Sequence, residues 1–240
     1  MEMKRFHTAG STAALRAAAA TLWTYGWEYD ASARILLLPV PSFEKDGMIR
    51  GGGRPEDLLT PDTVIFGGKL QGRFPNHRCF DLLEDPRYVA ENAAITAHCA
   101  LPYILQALPV TVAEASVLIL GWGRIGKCLS QLLQRLGAQV TVYARKEADR
   151  AMLAALGYGV LEDLTEDLRQ FRVVVNTVPV MLLPKERLRP GQIKIDLASV
   201  DGIAGEDVIR VRMLPGKDAP ESSGKLIAAT VDRLGRELWV

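Results

Sequence analysis

The stretch at residues 117–147, VLILGWGRIGKCLSQLLQRLGAQVTVYARKE, decides the fold. SVLIL, ending at Leu120, is an apolar run of strand length. Gly121-Trp122-Gly123-Arg124-Ile125-Gly126 then matches the GxGxxG spacing, and Arg124 opens a helix that Gly137 ends. QVTVYA follows as a second strand. In this pattern the first glycine permits a tight turn. The second lets the backbone approach a pyrophosphate, and the third lets helix and strand pack closely. The helix N-terminus aims free N–H groups and its dipole at the phosphates. A tight turn with no ligand is the bland alternative. The strand–turn–helix–strand context favours a dinucleotide.

The end of the second strand bears on which dinucleotide. NAD-binding folds place Asp or Glu there, about 20 residues past the turn, on the ribose 2′-hydroxyl. This chain has Tyr143-Ala144-Arg145-Lys146 instead. No carboxylate stands there to repel a 2′-phosphate, and a guanidinium suits a phosphate because it is planar and can bind it bidentately. The other reading is a solvated helix start, although cations there oppose the helix dipole. NADP is therefore the expected cofactor, with NAD as the alternative, since Glu147 can also reach the ribose.

Working outward, Asn176-Thr177-Val178-Pro179 ends one further strand and Asp196-Leu197-Ala198-Ser199 another, so both should border the cofactor. Asp196 has a second reading as a local turn cap. DVIRVRML, from Asp207, reads as the last strand, and residues 225–239 as a final helix packing back on the first lobe. Gly216 and Gly224 read as conformational. Towards the N-terminus, residues 11–25 read as a helix, and ARILLLPVPS and DTVIFGGK as buried strands followed by loops at 41–53 and 67–73. Residues 88–108 have helical character, with Pro102 expected to kink the helix or start one. The expected fold is α/β: a Rossmann doubly wound parallel sheet preceded by a smaller α/β, flavodoxin-like lobe. Expected bounds are a substrate lobe at 1–88, an interlobe helix at 89–109, the dinucleotide domain at 110–222 and a returning helix at 223–240, with a ligand cleft between the lobes.

The chain has 240 residues, enough for two modest cores, and a net charge of +1. That balance gives no electrostatic case for nucleic acid or an anionic membrane, and no apolar run reaches spanning length. The three cysteines, Cys79, Cys99 and Cys128, lie far apart with no metal-ligand spacing, which suits a reduced, cytoplasmic protein. A homo-oligomer is expected.

Taken together, the glycine turn with its GA-V-V-AR second strand, Asn176 to Pro179, Asp196 to Ser199, Leu214-Pro215-Gly216, Ala219-Pro220 and Ser222-Ser223-Gly224 resemble the A subunit family of bacterial dipicolinate synthase. LLPVPS, VIFGG and the Asn92-x-x-Ile95-Thr96 stretch add to the likeness. The resemblance implies two domains like those of 2-hydroxyacid dehydrogenases, and partnership with a flavoprotein-like B subunit. It implies oxidation of a dihydrodipicolinate-type compound to dipicolinate, the calcium-binding acid of endospores. The chain resembles a diverged member. Its first lobe is short, His98 and Cys99 stand where an acidic residue and a glycine are expected, and the loop after Ser199 reads VDGIAGED.

Hydride transfer also needs a proton acceptor and a cation for substrate carboxylates. His98, beside Thr96, is the candidate base; its alternative is a satisfied interface histidine. The three histidines include His7 and His77, around which no motif stands. Arg50, Lys69, Arg73 and Lys217 are candidate counter-ions, with solvated surface charge as the alternative for each. Ser42 is a candidate donor to a carboxylate or a turn cap. Trp122, between two glycines, is expected against cofactor or a lid. A non-catalytic nucleotide-binding module is the second functional class.

Overall fold

A computed structural model of the chain describes residues 4–238. The chain divides into two compact units, Met1–Ile95 with Pro215–Val240, and Thr96–Leu214. Trp239, read above as the end of the last helix, lies outside the described residues.

In the first unit the elements are β1 (Lys4–Thr8), α1 (Ala13–Thr24), β2 (Trp27–Tyr29), β3 (Ile35–Leu37), β4 (Val64–Gly67) and β5 (Arg78–Asp81). The long helix α2 (Pro86–Ala107) starts in this unit. The strands are all parallel in the order β2-β1-β3-β4-β5, the flavodoxin-like arrangement. A parallel sheet covered on both faces needs apolar residues at every position, and β3 and β4 are buried throughout. Their alternation divides two cores. Ile35, Leu37, Val64 and Phe66 join one with Phe6, Trp27, Ile227 and Val231. Leu36, Leu38 and Ile65 join the other with Ile49 and Phe74.

Thr12 caps α1, its hydroxyl accepting from the Leu15 N–H at 3.2 Å. α1 packs against the last helix of the chain, Pro220–Gly235 (α6 below). Gly224 makes that approach possible. A Cβ there would lie 2.5 Å from the Ala17 methyl and 2.7 Å from the Ala18 nitrogen. Its φ is not positive, so close packing rather than backbone conformation explains this glycine. Asp232 of α6 accepts from Lys4 Nζ at 2.8 Å and Trp27 Nε1 at 2.9 Å. Burial would raise its carboxyl, but these partners outweigh that and hold it below the usual range. Asp85 starts α2 in the same way, accepting from the Tyr88 N–H and from Arg233, both at 2.7 Å.

The second unit holds β6 (Ser116–Leu120), α3 (Arg124–Arg135), β7 (Gln139–Tyr143), α4 (Glu147–Ala155), β8 (Gly159–Leu161), β9 (Val173–Asn176), β10 (Ile193–Asp196) and β11 (Val208–Arg210). The short helix α5 (Leu214–Asp218) follows, and α6 after it. All six strands are parallel in the order β11-β10-β9-β6-β7-β8, a doubly wound Rossmann sheet. Register sets the last residues of β6, β7, β9 and β10 level. Leu120 pairs with both Tyr143 and Asn176, and Asn176 with Asp196. The residues that follow therefore share one sheet edge.

Several boundaries differ from the sequence reading. The last strand stops at Arg210 rather than Leu214, because Arg212 turns back onto the Asp196 carbonyl and Asp201. α6 begins at Pro220, not Lys225; proline suits a first helical position. α2 continues through Pro102 as one helix. No helix among the described residues is long and apolar enough to cross a membrane.

Candidate functional site

The glycine turn is built by contacts that exclude side chains at two positions and leave the third open. Gly121 has φ +102°, and a Cβ there would lie 2.5 Å from Val178 Cγ2. A Cβ on Gly126 would lie 2.1 Å from the Gly121 carbonyl oxygen, so this glycine lets α3 press onto β6. At Gly123 a Cβ would meet nothing within 4 Å. The second glycine thus faces space, as backbone that a pyrophosphate approaches must. Gly123 caps α3 without a side-chain hydrogen bond, leaving the amides of the first turn available to an anion. These features fit a dinucleotide.

Around the turn lies a cavity of about 360 Å³, lined by Gly121, Trp122, Gly123, Tyr143 to Lys146, Asp149, Thr177 to Val180 and Leu182. Ala144 is buried, while Arg145 and Lys146 are exposed and make no ion pair among the described residues. The turn they occupy is held by Arg150, whose Nη1 donates to the carbonyls of Ala144 (3.2 Å) and Arg145 (2.7 Å). Trp122 packs edge-on against Tyr158 at 5.4 Å, with Lys127 Nζ 5.8 Å from its ring. Burial pushes the Tyr158 hydroxyl up.

Thr177 closes the turn from the β9 side, its hydroxyl donating to the Leu120 carbonyl at 2.9 Å. Asn176 is buried and folds onto its own loop. It accepts from the Val178 N–H at 3.0 Å and donates to the Val178 carbonyl and to Asp196. Asp196, wholly buried, accepts from the amides of Ala198, Gly202 and Ile203 and lies 3.4 Å from Arg212. Its carboxylate takes the turn-capping alternative and fixes the loop carrying Leu197, Ala198 and Ser199. Asn176, Asp196 to Ser199, Arg124, Ile125 and Gly126 do not line the cavity.

The residues singled out for chemistry are not among those lining this cavity. Thr96 is buried and His98 exposed, both on α2 and neither lining the cavity. Ser42 is wholly buried, donating to the Pro39 carbonyl at 2.8 Å and accepting from the Gly68 N–H at 2.9 Å. Its hydroxyl ties two loops together. Lys69 is exposed in a left-handed conformation, φ 61°. Arg73 stacks over Phe43 at 4.2 Å. Arg50 donates to the Phe43 carbonyl and pairs with Glu44 at 3.5 Å. Lys217 sits 4.0 Å from Asp218.

Sequence reasoning missed Tyr143, Asp149, Val180 and Leu182 in the lining, and Arg150 behind it. Asp149 lies in the first turn of α4, next to the Ala144–Lys146 turn that precedes that helix.

The comparisons agree with this geometry. Residues 105–186 match the family described as D-isomer specific 2-hydroxyacid dehydrogenase, NAD binding domain. The match supports a nicotinamide dinucleotide as the cofactor class of this part of the chain. No curated protein matches. Among solved structures, the A subunit of dipicolinate synthase from Bacillus halodurans superposes with TM-score 0.84 at 22% identity, over 96% of this chain and 97% of that one. Its counterpart from Bacillus subtilis gives 0.82 at 21%, over 100% and 98%. The transhydrogenase from Sinorhizobium meliloti gives 0.73 at 13%, over 98% and 94%. At these identities the likeness establishes a shared fold, the one expected from the resemblance read in the sequence.

Proposed function

We propose that this chain, a dehydrogenase-like module by fold, is the NADP-dependent part of an oxidoreductase whose substrate is a small dicarboxylate of the dihydrodipicolinate type. The observation that carries the cofactor half is the pair of exposed cations, Arg145 and Lys146, which line the glycine-turn cavity and form no ion pair among the described residues. The turn amides of α3 would hold the pyrophosphate, and Arg145 with Lys146 the 2′-phosphate. Bound there, an oxidised nicotinamide supplies a hydride acceptor. The substrate would lose that hydride together with a proton, and His98 is the residue proposed to take the proton. The dicarboxylate class rests on the fold shared with the two dipicolinate synthase structures and on Lys69, Arg73 and Lys217, exposed cations of the first unit. A flavoprotein-like partner belongs to the same proposal.

One observation favours a second reading. His98, the one acid–base candidate, is exposed, and the Ser42 hydroxyl offered to a substrate carboxylate is already bonded within the protein, so the constellation is thin for a catalyst. A non-catalytic nucleotide-binding module would need neither. Turnover separates the two. Purified protein should reduce NADP with dihydrodipicolinate-type substrate and a flavoprotein partner supplied. His98→Gln should lower that rate by about 10²–10⁴-fold with NADP affinity nearly intact. Unchanged turnover removes His98 from the mechanism, and absence of turnover in the parent protein favours the binding module.

A further inference from the structure

We infer that Arg150 is a positioning residue for cofactor choice, holding the Ala144–Lys146 turn in the form that presents its cations to a 2′-phosphate. The inference rests on the dinucleotide reading of the cavity and deepens it. Arg145 and Lys146 have side chains on the cavity rim and no ion partners among the described residues. Two long, solvated cations do not select a phosphate by charge alone, because ordering them costs rotamer freedom and solvent screens them. What they need is a fixed backbone beneath them.

Arg150 supplies it. From the first turn of α4 it reaches back, and Nη1 donates to two successive carbonyls, of Ala144 at 3.2 Å and Arg145 at 2.7 Å. Both carbonyl oxygens are thereby occupied by a donor. Left free, they would be acceptors that a phosphate cannot pair with and would be repelled by. Lys146, the residue before α4, makes no side-chain cap, so the first amides of that helix also stay available. Arg150 is half-buried and does not line the cavity, so its effect runs through the turn rather than through contact with ligand.

The chemistry of the contact distinguishes positioning from charge. Both bonds come from one terminal nitrogen, Nη1, which the planar guanidinium holds one bond farther from the backbone than a lysine Nζ, so lysine keeps the charge without that reach. Calorimetry on the full chain with NADP, NAD, 2′,5′-ADP and ADP should therefore be run for the wild type, Arg150→Lys and Arg150→Met. Both variants should lose NADP and 2′,5′-ADP affinity by about tenfold or more, while NAD and ADP change by less than about twofold. A melting curve for each variant shows that it is folded. Arg150→Lys binding like the wild type while Arg150→Met loses NADP would make Arg150 a distant charge and overturn the positioning role. Equal loss for all four ligands, or no loss, would also overturn it. If the wild type itself shows no preference for the 2′-phosphate, the NADP reading fails and the inference with it; that result appears in the parent protein and is not confused with the others.

Discussion

At the scale of single residues, the cavity sets a sharp test of cofactor identity. Arg145 carries its charge on the rim, so Arg145→Ala should weaken NADP binding by about 1.5–3 kcal/mol, the range for a charge-assisted hydrogen bond. NAD, lacking the phosphate, should be nearly unaffected; calorimetry with both cofactors checks this. The residues that carry the turn were legible because their spacing is itself the mechanism. Gly121, Gly123 and Gly126 have different physical neighbours, and the sequence pattern assigns each its role. Arg150 was not legible. Nothing in a sequence says that a helical arginine will reach back to two carbonyls, since that depends on how α4 departs from β7. Asn176 and Asp196 show a subtler limit. Both end strands at the cofactor edge and turn their side chains inward, where each must satisfy its own hydrogen bonds; for Asp196 this is the turn cap that the sequence offered as its second reading.

At the scale of elements, the α1–α6 contact depends on the absence of one atom. Gly224→Ala would gain helix propensity yet place a methyl against α1 backbone at Ala14 and Ala18. Overpacking should dominate, with a net loss of about 1–3 kcal/mol in denaturant unfolding of the first unit. The long apolar strands were easy to find: β4, β6 and β9 are continuous hydrophobic runs because both faces are covered. Three short edge strands were not. β2 (WEY), β5 (RCFD) and β8 (GVL) lie at sheet edges, are short or polar, and gain their form from pairing with a neighbour. Pro102 does not start a helix, since its cost is absorbed inside a 22-residue one.

For the molecule as a whole, stability should fall as pH falls. Burial lowers the His7 pKa against the Ala33 backbone and the Asp30 charge, and its Nδ1 has no hydrogen-bond partner among the described residues, so the folded state resists a proton that the unfolded chain accepts below about 6.5. The folded state is therefore disfavoured progressively as pH drops beneath that value. Asp85 and Asp232, both held low by hydrogen bonds and cations against the pull of burial, add a second loss below about 3.9. Both effects lie in the first unit. His7→Gln should therefore flatten the fall in melting temperature between about pH 7 and pH 5 without touching the lower step.

The chain path has a consequence for the order of events at the ribosome. The second unit is continuous in sequence, but the first is split around it, and Ile227, Ala228 and Val231 of α6 fill the core begun by Phe6, Leu15 and Trp27. Synthesis runs from the N-terminus, so strands β1 to β5 must wait for α6, which is made only after the whole of the second unit. Until then the α1 face, including Ala14 and Ala18, stays open to water and to other nascent chains. A unit so threaded is exposed to chaperones and to misassembly for as long as the segment between its two halves takes to be made.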